Sequence, residues 1–233
     1  MTGIANINKP MGKSSAFVVA VIRRITKIKK VGHTGTLDPL ATGVLPICIG
    51  RESTRLADTI MAGKKQYRAV LKLGETTTTQ DSEGEVLLKR EVNVTEEDVL
   101  KVIDTFKGEI SQIPPMYSAI KIDGKKLYEL ARKGVEVERK PRNVTIYDIM
   151  AENIDLTENE VTILVDCSKG TYIRTLCNDI GEKLGSGGYM KSLVRTNSCG
   201  FTIEESFTLE EFEKLWNEGE FEKILTPPEA FIW

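Results

Sequence analysis

Residues 31–45 constrain this 233-residue chain more than any other stretch. Gly32, Gly35, Pro39 and Gly43 punctuate it, with Thr34, Thr36, Asp38 and Thr42 between them. Turn formers at this density predict a long polar loop, leading into the apolar run at 44–49. Within the loop, Asp38 precedes Pro39. Such an aspartate either accepts a nearby backbone N–H in an Asx turn or is a carboxylate that a scaffold-held loop offers to a substrate. No GxxxxGK[ST] occurs, so the loop is not a P-loop.

The flanking pattern alternates strands and helices. Residues 4–8 read as a strand and Lys9-Pro10-Met11-Gly12 as a turn. Ser14 or Ser15 can cap a helix over 15–26, where Phe17, Val18, Val21, Ile22 and Ile25 share a face. The basic run 27–30 leads from it to the loop. A helix is expected over 53–61, and a strand over 66–72, where Tyr67, Ala69 and Leu71 alternate with polar residues. Residues 76–84 are turn-rich and 85–88 form a strand. Thr95, with Asp98 three residues on, caps a helix over Val99, Val102, Ile103 and Phe106. Pro114 and Pro115 make 113–121 start extended. A short helix at 127–132, strands at 144–149 and 161–165, and a turn at 166–170 follow. Thr171 is expected to cap a helix with Ile173, Leu176, Cys177, Ile180 and Leu184 on its apolar face, stopped at Gly185. An acidic helix covers 212–216.

Composition narrows the chemistry. Four cysteines without a CxxC pair and a single histidine, His33, speak against a zinc site or a disulfide scaffold. Any nucleophilic triad would have to run through His33, which directs acid–base chemistry to Asp, Glu, Tyr or Lys. The N-terminus lacks a signal-peptide pattern, and no stretch approaches the ~18 apolar residues of a membrane span. A cytoplasmic chain without membrane contact is expected. The net charge of −2 argues against a nucleic-acid partner only as a sum. Residues 1–80 carry 13 Lys and Arg against 4 Asp and Glu, whereas 201–233 carry 2 against 9. A second basic cluster lies at 121–142. Such clusters suit a phosphate backbone as well as an ordinary solvated surface.

Four further side chains stand out. Arg174 falls in the first turn of a helix, where the dipole disfavours a cation. It is either a surface arginine or one held by a buried carboxylate or by substrate. Tyr67 beside Lys65 and Arg68 suits stacking on a base, and equally packing in a sheet. His33 is a loop histidine, and Asp81 caps the turn into Gly84 or meets a ligand.

The run Gly32-His33-Thr34-Gly35-Thr36-Leu37-Asp38-Pro39-Leu40-Ala41-Thr42-Gly43-Val44-Leu45 resembles the signature of the TruB family of tRNA pseudouridine synthases. Lys9-Pro10-x-Gly12-x-Ser14-Ser15, Lys65-x-Tyr67-Arg68, Asp81-x-x-Gly84, Ile113-Pro114-Pro115-x-Tyr117-Ser118-Ala119-x-Lys121, Lys140-Pro141-Arg142 and Gly170-Thr171-Tyr172-Ile173-Arg174 resemble its other motifs. The first motif has Ser14-Ser15-Ala16 where many members carry threonine, serine and histidine or asparagine.

The resemblance implies an α+β pseudouridine synthase fold, with a large mixed, mostly antiparallel central sheet flanked by helices. It implies one catalytic domain over 1–233, with an RNA-contacting insertion at about 120–145 and without the C-terminal PUA domain common in the family. The implied reaction converts uridine 55 in the T arm of tRNA to pseudouridine by base flipping, without metal or organic cofactor. Asp38 is the implied catalytic aspartate, with attack at C1′, addition at C6 and proton abstraction to a glycal all open to it. Arg174 is its implied partner, and Tyr67 stacks on the flipped uracil. His33, Asp81, Lys9, Lys65, Arg68, Lys121 and Arg142 are the implied substrate contacts. A monomer acting on the tRNA T stem-loop without an obligate protein partner is expected. A non-catalytic factor that helps tRNA fold, and a pseudouridine synthase for another RNA, remain the alternatives.

Overall fold

The protein is described here by a computed structural model covering residues 1–118, 120–122, 124–131 and 133–231, without the side chains of Lys121, Ile122, Lys125 and Lys126. Two compact units emerge. One joins Met1–Arg68 to Leu193–Trp233, and the other is Ala69–Ser192. The first unit begins with β1 (Gly3–Lys9), α1 (Ser15–Thr26), β2 (Val31–His33), β3 (Thr42–Ile49), α2 (Arg51–Arg55) and α3 (Ala57–Ala62). The strand β4 (Lys65–Leu73) runs on into the second unit. There follow β5 (Glu75–Thr77), β6 (Val86–Lys89), α4 (Glu96–Asp104), β7 (Gly108–Gln112), β8 (Lys121–Ile122), β9 (Lys125–Lys126), α5 (Leu127–Ala131), β10 (Arg142–Asp155), β11 (Glu160–Cys167) and α6 (Ile173–Lys183). The strand β12 (Gly188–Ser198) returns to the first unit, which closes with β13 (Phe201–Thr202), α7 (Leu209–Asn217) and α8 (Phe221–Ile224).

The expected class holds. A nine-stranded sheet has the order β1-β3-β12-β4-β11-β10-β7, with β2 on β3 and β13 on β12. It is mixed: β1–β3, β2–β3, β7–β10, β10–β11 and β12–β13 are antiparallel, and β3–β12 is parallel. Strand burial follows the side-chain period of two. In β11 the buried Val161, Ile163, Val165 and Cys167 alternate with half-buried neighbours. In the second unit α6 buries Ile173, Leu176, Cys177 and Ile180. The first unit centres on Ile4, Val44, Cys48, Ile60 and Phe201. Because β1 is buried along nearly its whole length, its polar Asn6 needs a partner, and its amide donates to the Thr202 carbonyl at 2.8 Å.

Several local expectations change. The loop is shorter than 31–45, because Val31 to His33 pair with Ile49 to Ile47, and β3 starts at Thr42. The helix expected over 53–61 breaks at Leu56 into α2 and α3. The strands β7 and β12 have no counterpart in the expected pattern. Ser14, not Ser15, caps α1, its hydroxyl accepting the Phe17 N–H at 3.1 Å. Thr171 does not cap α6. Its hydroxyl donates to the Ser168 carbonyl, and the N-cap residue is Tyr172. The Gln112 side chain brackets that residue, accepting the Tyr172 N–H at 3.0 Å and donating to its carbonyl at 3.2 Å.

Candidate active site

In the first unit, nearly every turn of the Asp38 loop is tied down by something other than Asp38 itself. Its start is fixed by the Thr34 N–H donating to the Pro46 carbonyl at 3.1 Å. Ser15, freed from capping, clasps Leu37: its hydroxyl accepts the Leu37 N–H at 2.9 Å and donates to the Leu37 carbonyl at 3.0 Å. The Pro39 carbonyl accepts the Gly12 N–H at 2.8 Å. The Ala41 N–H turns back to the Asp38 carbonyl at 3.0 Å. The Lys-Pro-x-Gly-x-Ser-Ser segment is therefore the bed on which the loop lies, and Asp38 is half-buried within that loop.

Two buried cations complete this arrangement. Lys9 is fully buried and Arg195 is 1% exposed. The Lys9 ammonium donates to the carbonyls of Pro10 at 2.8 Å, Lys13 at 2.6 Å and Pro39 at 3.3 Å. Burial pulls its pKa down to about 8, the Asp38 charge works against that fall, and Arg195 adds to it. Lys65 is buried as well, its ammonium on the carbonyls of Met61 at 2.7 Å and Gly63 at 2.9 Å. In this structure the heads of Lys9 and Lys65, two of the expected substrate contacts, both meet backbone carbonyls. Those bonds brace the backbone inside the unit. Tyr67 is buried on β4, while the adjacent Arg68 is exposed.

His33 is half-buried at the end of β2, and its Nδ1 accepts the Gly35 N–H at 3.3 Å. Its pKa lies below the usual histidine value, first through burial and then through Arg195. It is accordingly neutral near pH 7, with its proton on Nε2. The unfolded chain then takes up this proton at higher pH than the folded one, so stability falls as pH drops from about 6.5 through the folded value. His33→Asn should flatten that part of the decline, read as urea midpoints at pH 7.5 and 5. An unchanged pH dependence would contradict the assignment.

The second unit holds the other four expected residues, Asp81, Lys121, Arg142 and Arg174. Arg174 does not lie on the surface as its place off the apolar face of α6 suggests; it is 5% exposed. Its Nη1 lies 3.5 Å from Asp81 Oδ2 and donates to the Thr79 carbonyl at 3.3 Å, and its Nη2 donates to the Tyr117 carbonyl at 2.6 Å. Asp81 is 4% exposed and also fastens its turn, accepting the Thr79 hydroxyl at 2.5 Å and the Glu83 N–H at 3.1 Å. Asp81 thus fastens its turn and pairs with Arg174 at once. Breaking this buried pair from one side strands the other charge, so Arg174→Met should lower the unfolding free energy by about 3 kcal/mol. Adding Asp81→Asn should restore part of the loss in a double-mutant cycle, and full additivity would contradict the coupling.

Arg142 opens β10 and is exposed. The Lys121 backbone lies in β8, but its side chain is outside the described residues, as is Arg132 of the same basic cluster. Sequence reading missed Arg195 altogether, since it lies in a strand that was not expected. Among the described residues, no three His, Cys, Asp or Glu side chains converge to hold a metal, and no helix is long and apolar enough to cross a membrane.

Residues 23–173 match the model of the TruB family pseudouridylate synthase N-terminal domain, and residues 174–232 match that of the tRNA pseudouridylate synthase B C-terminal domain. The tRNA pseudouridine synthase B of Alkaliphilus oremlandii is 55% identical over 97% of this chain and 74% of its own. That of Clostridium tetani is 53% identical over 100% of this chain and 78% of its own. Among solved structures, a chain in the crystal structure of a Cbf5-Nop10-Gar1 complex superposes with a TM-score of 0.77 at 32% identity. The match covers 99% of this chain and 61% of that one.

Proposed function

Because the chain belongs to the TruB family of pseudouridylate synthases, we infer that Asp38 carries its chemistry and that the target is uridine 55 in the T arm of tRNA. The reaction isomerises uridine in tRNA to pseudouridine. The N1–C1′ bond breaks, uracil turns, C5 bonds to C1′, the C5 proton leaves and N1 gains one. Nothing is oxidised and nothing is added, so carboxylate and proton chemistry suffice.

One observation carries the assignment to Asp38: its loop is fastened on both sides by Ser15, Gly12 and Lys9, with Asp38 half-buried between those ties. A group held this way reaches the reacting atoms without reorganising. A base within a folded arm must leave its stack to be reached. Tyr67 offers a face for the flipped uracil, and neutral His33 fills the space beside the disrupted pair. The exposed Arg68 and Arg142 are suited to phosphates, and residues 120–145 to contact with the arm. Recognition then rests mainly on the shape of the T loop. The protein works alone in the cytoplasm on this reading.

The test uses a tRNA transcript carrying tritium at uridine C5. The expected result is stoichiometric release with an intact transcript and none when position 55 is cytidine. Tight binding without release would overturn the reading in favour of a folding factor. Release from the cytidine transcript would move the target elsewhere.

A further inference from the structure

Arg195 is absent from every motif that points to the reaction, yet it is among the largest fully buried side chains of the first unit. We propose that Arg195 is a positioning residue for Asp38, holding both shoulders of the loop that presents the carboxylate. The inference rests on the assignment of the chemistry to Asp38.

The geometry is that of a clamp. The Arg195 Nε donates to the Val44 carbonyl at 2.7 Å and its Nη2 to the Gly35 carbonyl at 3.2 Å. Those acceptors lie on opposite sides of Asp38, one in the loop two residues past β2 and one at the third residue of β3. A planar guanidinium can span two such acceptors in one fixed orientation, which a lysine ammonium cannot reproduce. The strand below is drawn tight: Arg195 is in parallel register with Gly43, and a Cβ on Gly43 would come within 2.3 Å of the Arg195 carbonyl oxygen. A side chain there would push β3 and β12 apart and carry the guanidinium away from the loop.

Charge supports the same arrangement. Arg195 and Lys9 are both buried, and Arg195 depresses the Lys9 pKa. The Asp38 carboxylate acts on Lys9 in the opposite sense. Buried like charges are unfavourable unless an anion stays near them. Asp38 supplies that anion only while the loop lies closed on its bed. The carboxylate that does the chemistry therefore also helps hold its own loop in place. Arg195 connects the two roles, because it bonds the loop backbone and shares the electrostatic neighbourhood of Lys9 and His33.

The test compares the full chain with Arg195→Lys, Arg195→Gln and Asp38→Asn. Steady-state kinetics on tRNA are read beside amide hydrogen exchange of residues 34–41 and of β1 and β3. Arg195→Lys is expected to lower kcat by about 10- to 100-fold, the scale of a slight misplacement of a catalytic group. The KM for tRNA should stay within about 2-fold, since no RNA contact is removed. Exchange should quicken in 34–41 while β1 and β3 keep their protection. Wild-type kcat with unchanged loop exchange overturns the proposal. Equal loss of protection in loop and strands, in both Arg195 variants, overturns it too, because the residue would then be merely structural. Wild-type kcat in Asp38→Asn instead removes the assignment to Asp38, and loop exchange in Arg195→Lys still reports on the clamp by itself.

Discussion

Asp38→Asn is expected to lower kcat by about 10⁴-fold or more, the scale seen when a group central to a reaction is removed. The substitution keeps the shape of the side chain and its place in the loop. It removes the negative charge, and with it the ability to attack carbon or accept a proton. The backbone ties from Ser15, Gly12 and Arg195 remain, so the loop should keep its fold while its exchange quickens modestly for want of the charge. Binding of tRNA should change by no more than a few-fold, since phosphate contacts dominate RNA affinity. A second effect is specific to this site. The Asp38 charge holds the Lys9 pKa up against burial and Arg195. Without it, Lys9 should titrate below about 8. The measurements are single-turnover rates, tRNA affinity and the NMR titration of Lys9 in the same variant. A rate within 10-fold of wild type in folded, tRNA-binding Asp38→Asn would contradict the assignment.

Gly43→Ala is expected to destabilise the protein by about 3 kcal/mol or more. Gly43 has φ +98°, a conformation that L side chains rarely adopt. It also pairs with Lys9 on one side and Arg195 on the other. An added methyl would meet the Arg195 carbonyl oxygen at 2.3 Å and its amide nitrogen at 2.9 Å. Both neighbours are backbone, so no side chain can swing aside to make room. Urea unfolding gives the stability. Gly12→Ala is the comparison, because Gly12 also has positive φ, at +75°, but nothing within 4 Å of an added methyl. Gly12→Ala should show only the conformational part, roughly 1–2 kcal/mol. Equal losses in the two variants would show that the close strand approach contributes nothing.

Regular amphipathic elements were the legible part of this sequence. Helix α1 matches its expected span, and the Thr95–Asp98 capping box at α4 is formed. The alternation of Tyr67, Ala69 and Leu71 located β4 because its buried face is apolar. The strand β12 escaped for the opposite reason. Its buried positions include Arg195, Thr196 and Ser198, so polar residues stand where a period-two reading looks for apolar ones. The site demands that exception, since the loop needs a donor from within the sheet. Arg174 was legible in part. A cation in a first helical turn left a buried carboxylate as one of its readings, and the fold identifies that carboxylate as Asp81, distant in sequence. Thr171 had the right chemistry for a cap, yet its hydroxyl turns back to the Ser168 carbonyl and the N-cap falls on Tyr172, which Gln112 holds through its backbone. Motif residues were readable as a set. The burial of Lys9 and Lys65 was not, because both look like surface cations until their carbonyl partners are placed.

The central claim is that this chain makes pseudouridine in tRNA through Asp38. Unmodified tRNA incubated with the wild-type chain or with Asp38→Ala, followed by chemical mapping of pseudouridine at every position, tests it most directly. The account predicts product at position 55 with the wild type and none with the variant. Equal product with both proteins would contradict it.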